Sequence, residues 1–179
     1  MAENVLKGID IPELGEKQSG KVRDFYVLGD KRILITTDRQ SAFDVILGHI
    51  PYKGAILNLL SQFWFEKTRH IVPNHMIFVP DPNVMIVQNT KPIPIEMIVR
   101  RYMTGVTKTS IWYSYQRGER LIYGIEFPDG LKKNEQLPSL VITPTTHGGG
   151  KDGHDERLIK EEILEKGIVT KKLYRQMEQ

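Results

Sequence analysis

The sequence of 179 residues contains no cysteine. This excludes a disulfide scaffold, a thiolate zinc site and a cysteine nucleophile. The sequence also lacks an apolar run long enough to span a membrane, and its start lacks a basic region followed by an apolar one. We therefore expect neither a membrane partner nor a signal peptide, and we predict a cytoplasmic protein.

Lysine and arginine number 25 and aspartate and glutamate 22, which gives a formal net charge of +3. Such an excess fits either a solvated surface or an anionic ligand. The basic residues stand beside glycine, aspartate and serine in short motifs, and no Lys/Arg stripe with interleaved aromatic residues is present. Small phosphate-bearing molecules are therefore the expected partners, and nucleic acid is not.

Short strand and helix patterns are mixed without strict alternation, which predicts an α+β fold. A β-hairpin is expected over residues 21–37, with its turn at Gly29 and Asp30. Residues 56–69 have helical spacing, which predicts a helix, and we expect the aromatic residues 63–65 and 112–113 to form core. The helical pattern from residue 156 onward has no stop signal, so the chain is expected to end inside a helix.

Residues 20–24 read GKVRD. A glycine lets the backbone approach a ligand closely, and two cations two positions apart on a strand point to the same side. Lys21 and Arg23 would then face one site for phosphate oxygens. The alternative is an exposed strand edge that charge protects from pairing.

Two further groups of charged residues adjoin apolar strands. Residues 38–44 (DRQSAFD) follow one strand, where loops commonly carry functional sites but where Asp and Ser also satisfy turns. Residues 95–103 are predicted to be a single strand with Glu96 and Arg100 on the same side. Charged side chains on a mostly buried strand need partners, which here are either each other or a ligand.

The loop of residues 143–156 contains His147, a run of three glycines, Lys151 and the sequence HDE at 154–156. It does not match the Walker A pattern, and the spacing of its histidines matches no zinc-ligand template. By itself this segment favours a loop that leads to a helix.

Together these motifs resemble the SAICAR synthetase (phosphoribosylaminoimidazole-succinocarboxamide synthase) family. Five motifs occur in the family's order, at residues 20–26, 38–44, 54–65, 94–105 and 143–156. They correspond to the N-terminal two-thirds of the family pattern. The resemblance implies an ATP-grasp-like fold that is truncated in its second lobe. Residues 1–90 would form a mainly β lobe with a helix, and residues 91–179 the start of a larger α+β lobe whose C-terminal part is absent.

The resemblance implies an ATP-dependent ligase of de novo purine biosynthesis, which joins L-aspartate to carboxyaminoimidazole ribonucleotide and gives SAICAR, ADP and phosphate. ATP and Mg²⁺ are the implied cofactors, and the magnesium carboxylates are expected outside this chain. The alternative is a truncated, non-catalytic nucleotide-binding fragment of that enzyme. An apolar face at the docking site of the missing part would favour a homo-oligomer.

The family's motifs imply site residues in this sequence. The implied ATP-binding residues are Gly20, Lys21, Val22, Arg23, Lys91 and Glu96. The implied substrate-binding residues are Arg39, Ser41, Asp44, Arg100, Gly105, His154 and Asp155. Val106 stands where the family usually has serine, and His147 where it usually has lysine. The lost serine hydroxyl would have to be supplied by Thr107.

Overall fold

The structure is a computed structural model, and it describes residues 4–43, 45–147 and 154–179. The chain divides into two compact units, Met1–Lys91 and Pro92–Gln179. Strands and helices occur in both units, which confirms the expected α+β composition. In the described ranges no helix is long and apolar enough to cross a membrane.

The first unit is built on an antiparallel sheet of five strands. These strands are β1 (Gln18–Ser19), β2 (Arg23–Leu28), β3 (Lys31–Thr36), β6 (Met76–Asp81) and β7 (Val84–Gln88). Their spatial order is β1-β2-β3-β7-β6. A separate two-stranded sheet pairs β4 (Arg39–Ala42) with β5 (Val45–His49). The turn between β2 and β3 lies at Gly29 and Asp30, so the predicted hairpin is confirmed.

Side chains alternate across a strand, and each face of the five-stranded sheet buries some of them. On one face, Met85 and Val87 are buried and Phe65 of helix α1 (Lys53–Thr68) packs against them. On the other face Tyr26 is fully buried, and its hydroxyl accepts a hydrogen bond from the backbone N of Ile11 at 2.7 Å. The N-terminal segment therefore lies against this second face.

Helix α1 turns its small and polar residues toward the sheet. Its buried residues are Gly54 and Asn58, and the Asn58 amide donates to the carbonyl of Pro82 at 3.0 Å. Its exposed large apolar residues are Ile56, Leu57, Leu59, Leu60, Phe63 and Trp64. The prediction that the aromatic residues 63–65 form core is therefore wrong for Phe63 and Trp64, and only Phe65 packs against the buried cluster. Helical spacing shows that residues share a face but does not show what that face contacts.

The described residues of the second unit form three antiparallel strand pairs and three helices. The pairs are β8 (Ile95–Glu96) with β13 (Thr145–Thr146), β9 (Val99–Tyr102) with β12 (Gln136–Ile142), and β10 (Leu121–Ile122) with β11 (Ile125–Glu126). The helices are α2 (Ile111–Tyr115), α3 (Lys160–Glu165) and α4 (Lys171–Glu178).

In the part of the second unit that the structure describes, two hydrophobic clusters hold the elements together. One consists of Met103, Ile111, Tyr115, Ile122, Tyr123, Phe127, Leu137 and Val141. The other consists of Ile95, Leu158, Ile163, Val169 and Tyr174, with Met97 packed against it. The predicted single strand 95–103 is wrong, because the chain leaves the strand conformation at residues 97 and 98 between β8 and β9. Met97 can therefore join the second cluster.

Candidate functional site

The GKVRD motif forms the connection of a tight hairpin between β1 and β2. Ser19 pairs with Asp24, and the backbone N of Gly20 donates to the carbonyl of Arg23 at 2.7 Å. Lys21 lies in a bend before β2 begins at Arg23, so the interpretation that both cations share one strand is wrong. Both side chains are nevertheless exposed on this loop.

Residues that follow β3 brace this loop. Thr37 is fully buried and donates both its backbone N, at 2.9 Å, and its hydroxyl, at 2.8 Å, to the carbonyl of Val22. The Arg39 Nη2 donates to Asp24 Oδ1 at 2.9 Å and to the carbonyl of Gly20 at 3.2 Å. The second motif therefore fixes the shape of the first, which gives a structural reason for their occurrence together.

The buried Asp24 carboxylate is the centre of this brace. Its Oδ2 accepts from the backbone N of Ile9 at 3.2 Å, and its Oδ1 accepts from the hydroxyl of Ser19 at 3.0 Å. Burial opposes ionisation of this carboxyl. The hydrogen bonds from Arg39, Ile9 and Ser19, together with the Arg39 charge, outweigh burial and hold the pKa of Asp24 below its ordinary value.

Asp38 has a structural role that the sequence did not predict. It is buried, and its Oδ1 accepts from the backbone N of Gly54 at 2.8 Å while its Oδ2 accepts from the backbone N of Leu6 at 2.9 Å. A carboxylate at a helix N-terminus also interacts favourably with the helix dipole.

The predicted site residue Ser41 is half-buried on β4, and Asp44 lies outside the described residues.

Arg23 stands beside a histidine that the sequence analysis missed. Burial of His75, followed by the charges of Arg23 and Arg32, lowers the pKa of this imidazole. The guanidinium of Arg32 lies 4.8 Å from the centroid of the Phe25 ring. Arg23 and Arg32 make this region of the sheet positive, on the side that carries Phe65, and a positive region favours an anionic ligand.

The predicted site residue Lys91 is exposed at the end of the first unit.

In the second unit the predicted site residues Glu96 and Arg100 have separate partners. Glu96 Oε1 lies 2.8 Å from Nδ1 of His147. Arg100 Nε donates to the hydroxyl of the fully buried Thr143 at 2.8 Å. The break between β8 and β9 removes the strand alternation that was expected to place Glu96 and Arg100 on the same side.

The backbone conformation at position 105 requires glycine. Its φ is +100°, a region that favours glycine. A Cβ added there would also overlap the side chain of Ser110, whose hydroxyl lies 2.8 Å from that of Thr107. The observed role of Gly105 is therefore to let the chain turn closely past Ser110, beside Thr107.

An open cavity of about 750 Å³ brings two predicted site residues together in the second unit. It is lined by Thr107, Lys108, Thr109, His154, Asp155, Glu156 and Arg157. Its size is in the range of small-molecule sites. Thr107, the residue expected to supply the hydroxyl of the missing serine, lies in this lining. The glycine run and Lys151 lie outside the described residues.

Arg157, which the sequence analysis did not single out, holds one wall of this cavity. Its Nη2 and Nε donate to the carbonyl of Lys108 at 2.6 and 3.2 Å. Its Nη1 donates to Glu119 Oε2 at 3.1 Å, and its Nη2 also donates to the hydroxyl of Ser114. The guanidinium therefore ties residues 107–109 to α2 and to the segment that follows it.

Replacement of Arg157 is expected to release this wall. Arg157→Ala should cost about 1–3 kcal/mol of stability, because several hydrogen bonds to a charged group are lost. Amide exchange at residues 107–110 should become faster than the average for the second unit. Lys160→Ala is the control, because Lys160 makes an exposed ion pair with Glu178 at 2.7 Å. Unchanged exchange at residues 107–110 would contradict this role.

Comparison with solved structures identifies the class of fold. The structure of "SAICAR-synthase from Saccharomyces cerevisiae complexed SAICAR" matches with a TM-score of 0.78 and 29% sequence identity. The match covers 95% of this chain and 60% of the yeast chain. The two units therefore have the mixed helix-and-strand fold of a SAICAR synthase.

Sequence comparison identifies the family. A phosphoribosylaminoimidazole-succinocarboxamide synthase of Legionella pneumophila (strain Paris) is 55% identical over 156 residues, which are 87% of this chain and 49% of the relative. A chloroplastic synthase of Vigna aconitifolia is 44% identical over 167 residues, which are 93% of this chain and 48% of the relative. The SAICAR synthetase family model matches residues 16–179, and the chain belongs to this family. It spans about half the length of these curated relatives.

Proposed function

We propose that this protein serves an ATP-dependent ligase reaction of purine biosynthesis. The reaction joins L-aspartate to carboxyaminoimidazole ribonucleotide and gives SAICAR, ADP and phosphate. The observation that carries the proposal is the braced loop of residues 20–24. Thr37, Arg39 and Asp24 fix the backbone of this loop, while its own two cations remain exposed. Family membership supplies the reaction that such a loop would serve.

The ATP phosphates are the proposed ligand of Lys21 and Arg23. A fixed loop presents its cations without further ordering, and guanidinium and ammonium groups are the usual partners of phosphate oxygens. A Cβ added at Gly20 would lie 3.6 Å from the carbonyl of Arg23, which is an ordinary contact. Packing within the unit therefore gives no reason for glycine at this position, whereas close approach of a ligand to the backbone of Gly20 and Val22 does. Lys91 and Glu96 are the proposed contacts to the nucleoside.

The imidazole ribonucleotide is the proposed ligand of the cavity in the second unit. Its lining combines the cation of Lys108 and the braced guanidinium of Arg157 with hydroxyls at Thr107 and Thr109, beside the acidic residues Asp155 and Glu156. The cations and hydroxyls suit the phosphate and carboxylate oxygens of such a ligand, and the two acidic residues suit its hydroxyl and amino groups. The proposed contacts from the family motifs are Arg39, Ser41, Asp44, Arg100, Gly105, His154 and Asp155. For Arg39, Arg100 and Gly105 such contacts would be additional to the structural roles described above.

The proposed chemistry has two steps. The carboxylate of the ribonucleotide attacks the γ-phosphorus of ATP, which forms an acyl phosphate and releases ADP. The amine of aspartate then attacks the acyl carbon, loses a proton and expels phosphate. Both steps move negative charge between oxygens, so fixed cations near those oxygens lower the barrier. The exposed positions of Lys21 and Arg23 are suited to this role on the ATP side.

Magnesium would neutralise the ATP phosphates. Among the described residues no group of three or more His, Asp or Glu side chains could hold a metal ion. These residues therefore do not fit a complete magnesium site. We propose that ATP itself and sequence that the longer relatives possess supply the remaining ligands.

The remaining family features are also proposals. They are an ATP-grasp-like arrangement of a mainly β lobe at residues 1–90 and the start of a larger lobe at residues 91–179, with the C-terminal part of that lobe lying beyond this chain. A cytoplasmic location and a homo-oligomeric state belong with them. The second candidate function is a non-catalytic nucleotide-binding fragment, which is favoured by the match to only half of each relative.

Thermal shift measurements with separate ligands test the proposal. At one hundred times its dissociation constant Mg-ATP should stabilise the protein by about 2.7 kcal/mol. The double variant Lys21→Ala/Arg23→Ala should lose this shift, whereas Lys31→Ala, which removes an exposed cation elsewhere on the same sheet, should keep it. Absence of any Mg-ATP shift in the unsubstituted protein would contradict both candidate functions.

The imidazole ribonucleotide separates the two candidates. Stabilisation by both ligands, together with release of ADP when aspartate is added, supports the ligase. Stabilisation by Mg-ATP alone, without turnover, supports the nucleotide-binding fragment. For the 179 residues alone we expect little or no turnover, and normal turnover in a coupled assay would overturn that expectation.

A further inference from the structure

The N-terminal segment is held to the first unit through its backbone. Three N–H groups of the described residues 5–11 donate to buried side chains. The bonds run from Leu6 N to Asp38 Oδ2 at 2.9 Å, from Ile9 N to Asp24 Oδ2 at 3.2 Å and from Ile11 N to the Tyr26 hydroxyl at 2.7 Å. A chain terminus is usually poorly ordered unless contacts hold it in place. Residues 5–11 are held in this way, and we call them the strap.

Two of the three acceptors lie in or next to the brace of the GKVRD loop. Asp24 is 1% exposed, and its carboxylate accepts from Arg39, which also donates to a carbonyl of the loop. Asp38 is 2% exposed and lies between Arg39 and Thr37, the residue whose hydroxyl and backbone N bind a second loop carbonyl. The strap therefore contacts the brace at two separate points.

Both contacts are close. Leu6 binds Asp38 twice, because its backbone N donates to the carboxylate and its carbonyl accepts from the backbone N of Asp38 at 2.8 Å. Gly8 passes near the other carboxylate, since a Cβ added there would lie 3.2 Å from Asp24 Oδ2. A buried carboxylate that loses a donor is left unsatisfied, which is costly. Opening of the strap should therefore shift both carboxylates toward other donors or water, together with the residues that brace the loop.

We propose that the strap positions the GKVRD loop for phosphate binding, with Leu6 and Ile9 as positioning residues that act through Asp38 and Asp24. The role in phosphate binding rests on the proposed function, whereas the hold on the loop does not. The family model matches residues 16–179 and does not include the strap, so family membership does not assign this role. Because coupling between two sites is reciprocal, a ligand on the loop should also slow the opening of the strap.

A strap that only covered the sheet would behave differently. Tyr26 is fully buried and bonded to the strap, so loss of a mere cover would lower the stability of the whole unit. Amides throughout the sheet would then exchange faster together. A positioning role instead predicts faster exchange at the loop, while the far end of the sheet keeps its protection.

Amide exchange followed by NMR distinguishes these two roles. Gly20 N donates to the carbonyl of Arg23 at 2.7 Å, so its exchange reports on the loop. Asn89 N donates to the carbonyl of Asp30, also at 2.7 Å, at the opposite end of the sheet. Asn89 is therefore the reference amide within the same unit.

Ile9→Pro removes the donor to Asp24, because proline has no N–H. Lys7→Pro is the matched control, since Lys7 is exposed and no described residue accepts from its backbone N. Ile9→Pro should accelerate exchange at Gly20 by about tenfold or more relative to Asn89. Lys7→Pro should leave the ratio of the two rates unchanged. Equal acceleration at Gly20 and Asn89 in Ile9→Pro, or none at Gly20, would overturn the proposal.

The unsubstituted protein gives a second test that does not depend on a variant folding. In low concentrations of urea, the amides of Leu6 and Ile9 report the opening of the strap. Gly20 should need no higher opening free energy than these two amides. Exchange at Leu6 and Ile9 while Gly20 keeps a higher protection would show that the strap opens without releasing the loop, which overturns the proposal.

Titration with Mg-ATP tests the link to the ligand. Mg-ATP should bind Ile9→Pro about tenfold more weakly than Lys7→Pro. Equal affinities would overturn the positioning role and leave the proposed function intact. Absence of Mg-ATP binding in the unsubstituted protein would overturn the proposed function and the role in phosphate binding together. The exchange rates at Gly20 and Asn89 would then decide by themselves whether the strap holds the loop.

Discussion

Gly54→Ala is expected to lower the free energy of unfolding of the first unit by about 2 kcal/mol net. Alanine in a helix gains up to about 1 kcal/mol over glycine, so the substitution would be stabilising if the site had room. The added Cβ, however, would overlap the carbonyl oxygen of Thr36 and lie 2.6 Å from Asn83 Nδ2. Overpacking of this kind costs about 3 kcal/mol at the upper end of its usual range, and the clash is with backbone.

Gly48→Ala is the matched control for this prediction. Gly48 lies on β5 in the same unit, and a Cβ added there would have no heavy atom within 4 Å. Urea unfolding should therefore give Gly48→Ala a midpoint close to that of the unsubstituted protein, and Gly54→Ala a clearly lower one. Equal midpoints for the two variants would contradict the close approach of α1 to β3.

The same contact shows which parts of the fold the sequence could predict. Local signals gave the β2–β3 hairpin, because Gly29 and Asp30 mark a turn between two apolar runs. They also gave the position of α1, which is helical from Lys53 to Thr68. These local signals did not predict which face of α1 is buried against the sheet. That face is chosen by the close fit of Gly54 against Thr36, which lies 18 positions earlier in the chain.

The candidate site divides in the same way. Short motifs identified the GKVRD loop and the HDE segment as regions of interest, because the residue types needed for anion binding are adjacent in the sequence. The bracing of that loop by Arg39, and of the cavity wall by Arg157, joins residues 15 and 49 positions apart. A single sequence contains no signal that pairs a particular arginine with a distant carbonyl or carboxylate. The roles of these arginines therefore became visible only in the folded chain.

Asp24→Ala is expected to cost about 3–5 kcal/mol, because removal of one member of a buried ion pair leaves the other charge without compensation. The exposed fractions of the Asp24 and Arg39 side chains are only 2% and 16%, and their charged atoms are 2.9 Å apart. Asp129→Ala is the control, since Asp129 pairs with Arg120 at 2.6 Å but is 89% exposed. Exposed pairs contribute about 0–1 kcal/mol, so burial and not the type of pair should set the difference.

The pH dependence of this effect follows from the lowered pKa of Asp24. A carboxyl group whose pKa is lower in the folded state than in the unfolded state stabilises the fold above its unfolded pKa, which is about 4. That contribution is lost as the pH falls below this value and through the folded pKa. The stability gap between the unsubstituted protein and Asp24→Ala should therefore be full near pH 7 and should narrow in acid, as followed by urea unfolding at a series of pH values. A gap that stayed constant down to the acid unfolding of the protein would show that Asp24 acts through packing alone and not through its charge.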